Sequence, residues 1–244
     1  MRRIFIAIIL FFFPTPIARL ILKLFCISNC NISSTTKIGF SILLCDEIEL
    51  INNVEIGHLN IIRLNKICIE DGKIKHLNYI KGYMDFRIDK EAWINSQNKI
   101  SSPLSKSYKI PLFWMKSKSV IIMNHLFDVT DDIILDEESL FAGAGSQVWT
   151  HHFILGSKRN VKIEGAVHIG KKCYIGSRCV ICTGVTIGDK TVIGANTTVS
   201  KSIKDSGLYV NQALRYIPYN ADDVINKLEN PVYDNFIYNR KMKN

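Results

Sequence analysis

The sequence has 244 residues, of which 47% are hydrophobic and 22% charged, and its formal net charge is +9. Such a chain is long enough for one sizeable globular domain with a core of its own. The basic balance predicts an anionic partner, which leaves nucleic acid, a membrane surface or a phosphate-rich cofactor. Nucleic acid is disfavoured, because the sequence contains no block of Lys and Arg with interleaved aromatic residues.

The segment 1–27, MRRIFIAIILFFFPTPIARLILKLFCI, consists of two apolar halves separated by prolines. The run Ile4–Phe13 has ten residues, whereas a bilayer span needs about twenty. The second half is amphipathic, with Arg19 and Lys23 four residues apart on one helix face. We predict either peripheral association with a membrane surface or a hydrophobic cap on the open end of a repeat domain. A secretory signal peptide is a third interpretation.

An aliphatic residue recurs at every sixth position in the second half of the chain, at Ile163, Ile169, Ile175, Ile181, Ile187, Ile193 and Val199. A helix with 3.6 residues per turn cannot produce this period. A triangular coil does, because each face is a short strand, each corner a tight turn, and three hexads make one coil of about eighteen residues. The aliphatic residues then fill the interior. Gly is frequent at position two, and the Gly or Asn of the hexads is expected to supply positive φ at the corners.

The same spacing continues upstream over 32–92, more irregularly, at Ile32, Ile38, Leu44, Leu50, Ile56, Ile62, Cys68, Ile74, Ile80, Phe86 and Ala92. The segment 95–119 is polar, contains two prolines, and is predicted to be a loop that projects from the coil. The repeat resumes weakly between that segment and the histidine pair at 151–152.

Seven cysteines are present, and Cys179 and Cys182 form a C-x-x-C pair without a second pair to accompany it. We therefore interpret the cysteines as reduced thiols of a cytosolic protein. Cys173 and Cys179 occupy the small fifth position of their hexads, which predicts that they lie in the core.

The run 163–204 resembles the hexapeptide-repeat acyltransferase superfamily, whose fold is a left-handed parallel β-helix. With FDVTDDIILDEESLFAGAGSQVWTHH before it, the chain resembles the carbohydrate O-acetyltransferase branch, of the colanic-acid, capsule, galactoside and maltose acetyltransferase type. The resemblance covers 120–218, and 32–96 as repeat only. It implies an all-β fold class, with a β-helix domain over 28–204 that carries a loop insertion at 95–119 and an active-site loop at 146–162. The segment 1–27 precedes this domain, and a C-terminal closing segment and tail, 205–244, follows it.

The resemblance implies transfer of an acetyl group from acetyl-CoA to a sugar hydroxyl, in bacterial surface polysaccharide or lipid-linked glycan biosynthesis. It further implies a homotrimer, a cytoplasmic location with the inner face of the membrane as a variant, and no metal. N-acyl transfer to an amino sugar or amino acid remains an alternative, as does a non-catalytic β-helix binding protein. A zinc-dependent carbonic anhydrase on the same coil is disfavoured, because neither His151 nor His152 has the second histidine that its ligand spacing requires.

By the same resemblance, His151 matches the general base, and His152 stands where relatives carry Gly. Deprotonating a sugar hydroxyl is a task that histidine suits, since its reference pKa is about 6.5. Trp149 is predicted to form a wall of the sugar site. Asn124 and Asp128 are predicted to hold sugar hydroxyls, as is His152, whereas His125 and Asp132 are weaker candidates.

Coenzyme A is predicted to lie along the regular coils, between two subunits of the trimer. Ser177 and Ala195 match positions where the backbone approaches the coenzyme. Ser200 and Lys201 match the pair near its phosphates, and Arg215 matches the basic residue of the closing segment.

Overall fold

The structure is a computed structural model that describes residues 2–25, 27–103, 109–211, 223, 226 and, as backbone, 237–239. Its helices and strands in these ranges are α1 (Arg2–Phe12), α2 (Thr15–Leu24), β1 (Cys30–Ile32), β2 (Lys37–Ile38), β3 (Ile42–Leu43), β4 (Glu47–Ile51), β5 (Glu55–Ile56), β6 (Ile61–Glu70), β7 (Lys73–Ile74), β8 (Tyr79–Ile88), β9 (Trp93–Ile94), β10 (Lys99–Ser101), β11 (Leu112–Met115), β12 (Val120–Met123), β13 (Leu126–Asp128), β14 (Ile133–Leu135), β15 (Leu140–Ala144), β16 (Gln147–Trp149), β17 (His151–Leu155), β18 (Asn160–Glu164), β19 (Val167–Ile169), β20 (Tyr174–Ile175), β21 (Val180–Ile181), β22 (Thr186–Ile187), β23 (Thr191–Ile193), β24 (Thr198–Val199), β25 (Gly207–Tyr209) and β26 (Ile237–Asn239).

The strands form a solenoid of about nine turns, in which each strand pairs in parallel with the strand one coil later. One face is a nine-stranded sheet in the order β2-β5-β7-β9-β12-β15-β20-β23-β25. The other two faces belong to one 14-stranded sheet, because β6 and β8 run across the corner between them. We call the face of β10, β13, β16, β21 and β24 face 1, the face of β11, β14, β19 and β22 face 2, and the nine-stranded sheet face 3. The predicted all-β fold class, a parallel β-helix, is confirmed.

The regular hexads fill the core as predicted: Ile175, Ile181, Ile187 and Ile193 are each 0% exposed. Cys173 and Cys179 are buried as well, and burial raises the pKa of both thiols. Ile163 is an exception, because it lies in β18, outside the coil. The six-residue series of aliphatic residues therefore begins to fill the coil at the next hexad, at Ile169.

The prediction that the position-two glycines supply positive φ is wrong. The positive φ values of these coils belong to residues at position four, such as Arg178 (57°) and Asn196 (60°). Gly176 is required for a different reason: a Cβ there would lie 2.7 Å from the backbone nitrogen of Ala195 in the next coil. These glycines allow the coils to approach each other closely.

Upstream, the six-residue spacing identifies most of the core but loses phase twice. Ile62, Ile80 and Phe86 are fully buried as predicted. Leu44 is only half-buried, as is Cys68. At these points the core residues are their neighbours, Leu43, Cys45, Ile67 and Ile69. The phase changes because β6 continues through a corner, with a register shift between Leu64 and Lys66.

The predicted loop over 95–119 is wrong for much of its length. β10 and β11 both pair with β8, on faces 1 and 2. The two prolines do not prevent this, because they lie between the strands, where their carbonyls accept hydrogen bonds. Pro103 accepts from the Tyr83 N–H and Pro111 from the Asp85 N–H. The coil also continues beyond the predicted boundary at 204, since β25 pairs with β23.

A ladder of buried amides stabilises the corner between faces 3 and 1. Asn60, Asn78 and Asn98 each accept the backbone N–H of the ladder residue one coil later at 2.9–3.0 Å. His125 takes the next position, where its Nδ1 accepts the N–H of Ser146 at 3.0 Å. This pairing satisfies polar backbone groups that would otherwise be buried without partners.

Helices α1 and α2 cover the open end of the solenoid. Ile6, Leu10, Ala18 and Leu22 are at most 4% exposed and belong to the same core cluster as the first coils. The cap predicted for the segment 1–27 is therefore present. Among the described residues, no helix is long and apolar enough to cross a membrane.

Candidate active site

A hairpin interrupts the coil at the corner where β16 ends. β17 and β18 pair antiparallel, with His151 opposite Glu164 and His152 opposite Ile163. β26 joins β18 in parallel as the third strand of this small sheet. The active-site loop predicted at 146–162 thus contains the end of face 1 and most of a projecting hairpin, and His151 lies at its base.

His151 contacts a carboxylate from the preceding coil. Its Nδ1 lies 2.6 Å from Asp128 Oδ2 and 3.0 Å from the hydroxyl of Thr130. The Thr130 hydroxyl lies 3.2 Å from Asp128 Oδ1. An ionised carboxylate can only accept hydrogen bonds, so the geometry assigns the imidazole proton to Nδ1. Nε2 then carries a free lone pair. The side chains of His151 and Asp128 are 23% and 14% exposed, so the pair is open to solvent on one side.

Thr150 fixes the turn that carries Asp128 and Thr130. This residue is fully buried, and its hydroxyl donates to the Asp128 carbonyl at 2.7 Å. The same oxygen accepts the N–H groups of Thr130 (2.8 Å) and Asp131 (2.9 Å). Because one hydroxyl makes three bonds to adjacent backbone groups, it holds this turn against the corner that bears His151.

A lysine holds the other end of this turn. Lys109 donates to Asp131 at 2.7 Å and also bonds Asp132. Partial burial acts to lower the pKa of Lys109, but the two carboxylates outweigh it and raise the pKa. Asp132, a candidate sugar ligand, is therefore already paired. Its second oxygen accepts the Leu112 N–H at 2.9 Å.

His152 differs from its neighbour in both exposure and partners. It is exposed, and in the described part of the chain no carboxylate bonds its ring. Burial of part of the ring lowers its pKa, and the nearby charge of His151 acts in the same direction. The two histidines are thus distinguished by Asp128, which contacts only His151.

Trp149 lies beside this pair, at the end of β16. It is half-buried, its Nε1 donates to Gln147 at 3.0 Å, and its backbone is in register with Asp128. Trp149 is therefore one strand away from Asp128, the partner of His151.

The other predicted residues lie at two different corners. Asn124, Ser177 and Ala195 share the corner between faces 3 and 1, which is connected by hydrogen bonds from Gly145 to Asn124 and from Asn196 to Ser177. Asn124 precedes β13, whereas Asp128 is the last residue of that strand and contacts His151, so a strand of face 1 separates Asn124 from His151. The structure therefore does not bring Asn124 and His151 together.

Ser200 and Lys201 lie at the corner of His151, between faces 1 and 2. Gly165 donates to the Thr150 carbonyl, Gly184 donates to Gly165, and β24 follows β21 by pairing Val199 with Ile181. Lys201 is therefore about two coils from His151, or roughly 10 Å along the solenoid. Arg215 lies outside the described residues.

Sequence reasoning did not identify Thr130 and Thr150 as site residues. It also assigned Asp128 to the sugar and not to the histidine. A signal exists, because DVT at 128–130 and WTH at 149–151 occupy equivalent places one coil apart. Reading it requires the length of that coil, which is 21 residues from Asp128 to Trp149 and not the eighteen of the regular repeat.

Within the described ranges, no group of three or more His, Cys, Asp or Glu side chains is arranged to hold a metal ion.

Residues 159–201 match the family model of the bacterial transferase hexapeptide (six repeats). This match confirms the predicted resemblance to the hexapeptide-repeat acyltransferase superfamily over these coils. No curated protein matches the chain.

Solved structures with likeness to the chain include three acyltransferases. The polysialic-acid-specific acetyltransferase NeuO has 14% identity over 74% of this chain and 84% of its own, with a TM-score of 0.37. The polysialic acid O-acetyltransferase OatWY has 18% identity over 88% of each chain and a TM-score of 0.38. AntD, an N-acyltransferase from Bacillus cereus in complex with dTDP and 3-hydroxybutyryl-CoA, has 15% identity over 84% of this chain and 90% of its own, with a TM-score of 0.39. Likenesses of this size do not define a substrate.

Proposed function

We propose that the protein is a coenzyme-A-dependent acyltransferase that moves an acetyl group to a hydroxyl of a sugar, with His151 as the general base. The observation that carries this proposal is the hydrogen bond from His151 Nδ1 to Asp128, at the edge of a hexapeptide-repeat coil. It leaves Nε2 as a proton acceptor, and Trp149, whose strand pairs with that of Asp128, is proposed as a wall of the sugar site.

The residues support a direct transfer. His151 Nε2 takes the proton of the acceptor hydroxyl as its oxygen attacks the thioester carbonyl. The new C–O bond forms, the C–S bond breaks, and the imidazolium returns the proton to the departing thiolate, giving coenzyme A. Asp128 offsets the positive charge that develops on the ring during attack. General-base catalysis of this kind contributes roughly 10²- to 10⁴-fold to the rate.

A cysteine nucleophile is a poorer fit. Burial raises the pKa of Cys173, Cys179 and Cys182, which opposes thiolate formation. Cys173 and Cys179 also direct their thiols to main-chain carbonyls at 3.1–3.2 Å, inside the coil.

Coenzyme binding is proposed along the coils after the hairpin. Lys201 supplies a cation at the corner of His151, and Ser177 and Ala195 supply close backbone approach at the next corner of the triangle. One strand of face 1 separates these corners. A groove between two subunits of a homotrimer therefore lets one corner from each subunit contact the same coenzyme. The acceptor is proposed to belong to a bacterial surface polysaccharide or a lipid-linked glycan.

The test is thiol release from acetyl-CoA in the presence of a panel of sugars and amino sugars. We expect His151→Ala to lower kcat by roughly 10²- to 10⁴-fold. His152→Ala is the matched control for the base: it is expected to keep kcat within about threefold, since no carboxylate orients that ring, and the loss of a sugar contact would change KM for the acceptor instead.

Wild-type transfer by His151→Ala would contradict the proposed base. Transfer only to amino sugars would replace O-acyl by N-acyl transfer at the same site. Absence of transfer to every acceptor, together with absence of coenzyme A binding, would favour a non-catalytic binding protein.

A further inference from the structure

The two capping helices are apolar on the side that faces solvent as well as on the buried side. Ile8, Phe12, Leu20 and Leu24 are 50%, 70%, 60% and 73% exposed. Large apolar side chains exposed together in this way are typical of a surface that a partner or a membrane covers. We call this side the outer helix face, and it consists of Ile4, Phe5, Ile8, Phe12, Ile17, Leu20, Leu24 and Phe25.

The outer helix face is continuous from one helix to the other. The rings of Phe5 and Phe25 pack edge to face with centroids 5.1 Å apart, which joins the start of α1 to the end of α2. A groove beside α1 is lined only by apolar residues, namely Ile4, Ala7, Ile8, Phe11, Phe12, Ile42 and Leu44. The apolar surface therefore extends from the helices onto the first coil.

The charged residues of the two helices have one sign. The segment 1–27 contains four Arg and Lys residues and no Asp or Glu. Arg3 pairs with Asp46, and Arg19 Nε donates to the Ile32 carbonyl at 2.8 Å. In the described part of the chain, Arg19 and Lys23 have no carboxylate partner. Arg3 and Lys23 lie near the helix ends that the Phe5–Phe25 contact joins.

We propose that the outer helix face binds the surface of an anionic lipid bilayer. Exposed aliphatic and aromatic side chains flanked by cations, on helices that themselves contain no acidic residue, suit insertion at the boundary between headgroups and acyl chains. The inner sides of both helices are held in the core, so binding buries only the outer side chains. A second copy presenting the same face would bring like charges together, which disfavours that occupant. This inference does not depend on the proposed acyl transfer.

The experiment is flotation of the full-length protein with vesicles of phosphatidylcholine, alone or mixed with phosphatidylglycerol. The variant Leu20→Ser/Leu24→Ser removes two exposed side chains and is expected to weaken partitioning at least tenfold, because each buried Leu contributes about 1.5–3 kcal/mol. Leu208→Ser/Val210→Ser is the matched control. Its residues are 68% and 63% exposed and lie at the far end of the nine-stranded sheet. Eight strand spacings, about 38 Å, separate β25 from β2 at the capped end. It is expected to partition as the wild type does.

A charge variant separates the electrostatic contribution. Lys23→Gln is expected to weaken partitioning into anionic vesicles about fivefold, because each cation near such a surface contributes about 1 kcal/mol. It is expected to leave partitioning into phosphatidylcholine unchanged. Circular dichroism and thermal unfolding of each variant report whether the fold is kept.

Three results would overturn the proposal. The first is a wild-type protein that does not float with anionic vesicles. The second is an equal loss in the far-end control, which would indicate non-specific adsorption. The third is a change of oligomeric mass in Leu20→Ser/Leu24→Ser with unchanged flotation, which would identify the face as a protein interface. If that variant unfolds, the Lys23→Gln comparison decides between the outcomes.

Discussion

Asp128 is the residue that gives the two adjacent histidines different chemistry. It accepts from Nδ1 of His151 at 2.6 Å, whereas His152 has no such partner in the described ranges. A histidine whose Nδ1–H is fixed by a carboxylate presents Nε2 in one orientation and one tautomer. The bond therefore prepares His151 for proton transfer.

We expect Asp128→Asn to lower kcat roughly 10²- to 10⁴-fold, with KM for acetyl-CoA little changed. The amide can donate to Nδ1, which shifts the proton to Nε2 and removes the base. Steady-state kinetics of thiol release measures the effect. Thr130→Val removes the longer contact to the same ring and the hydrogen bond to Asp128 Oδ1, and it is expected to lower kcat by less than about tenfold. An Asp128→Asn rate equal to that of wild type would exclude this role.

At the scale of elements, His125 is an irregular member of the corner ladder. It replaces the Asn of the three preceding coils and is 1% exposed, between the rings of Phe127 and Phe141. Burial lowers the pKa of His125 to about 4, from an ordinary value of 6.5. The folded protein therefore keeps the His125 ring neutral down to about pH 4, whereas the ring of the unfolded chain is protonated near its ordinary pKa.

The sign of the pH dependence follows. Between pH 6.5 and 4 the unfolded chain binds more protons at this site, so His125 makes the free energy of unfolding fall as pH falls, by up to about 3 kcal/mol. Asn at this position can continue the ladder without titrating. We expect His125→Asn to flatten this slope in urea unfolding measured across the same pH range. An unchanged slope would show that other groups cause the acid sensitivity.

At the scale of the whole molecule, the predicted coenzyme contacts are divided between two corners of one chain. His151 and Lys201 lie at one corner, and Ser177 and Ala195 at the other. If the site forms between subunits of a homotrimer, two inactive variants with damage at different corners complement each other. In a mixed trimer, the intact corner of one variant can then face the intact corner of the other across one interface.

We expect His151→Ala and Ala195→Trp each to be inactive alone. Co-expression in equal amounts is expected to restore about a quarter of wild-type activity, the share of interfaces with both corners intact on random assembly. Ala195 is exposed, so the larger side chain fits without disturbing the core. The purified mixture is compared with the two variants combined after folding. Absence of recovery would place both residues in a site within one subunit.

The sequence by itself determined the coil. Ile175, Ile181 and Ile187 repeat at six, and a residue that must fill the interior of a triangular coil has no other consistent spacing. The resemblance to the hexapeptide-repeat acyltransferases also led to His151 as the candidate base, because WTHH precedes the most regular hexads. Where the corners vary, as at β6, the six-residue rule lost its phase.

Only the tertiary structure decided which side chains contact each other at the candidate site. Asp128 meets His151 because a coil of irregular length sets the register of β13 against β16, and no local pattern encodes that length. Nor does the sequence show which side of α1 is buried, since both sides of that helix are apolar. Burial on the coil makes that difference, and it does so by covering one side of each helix only.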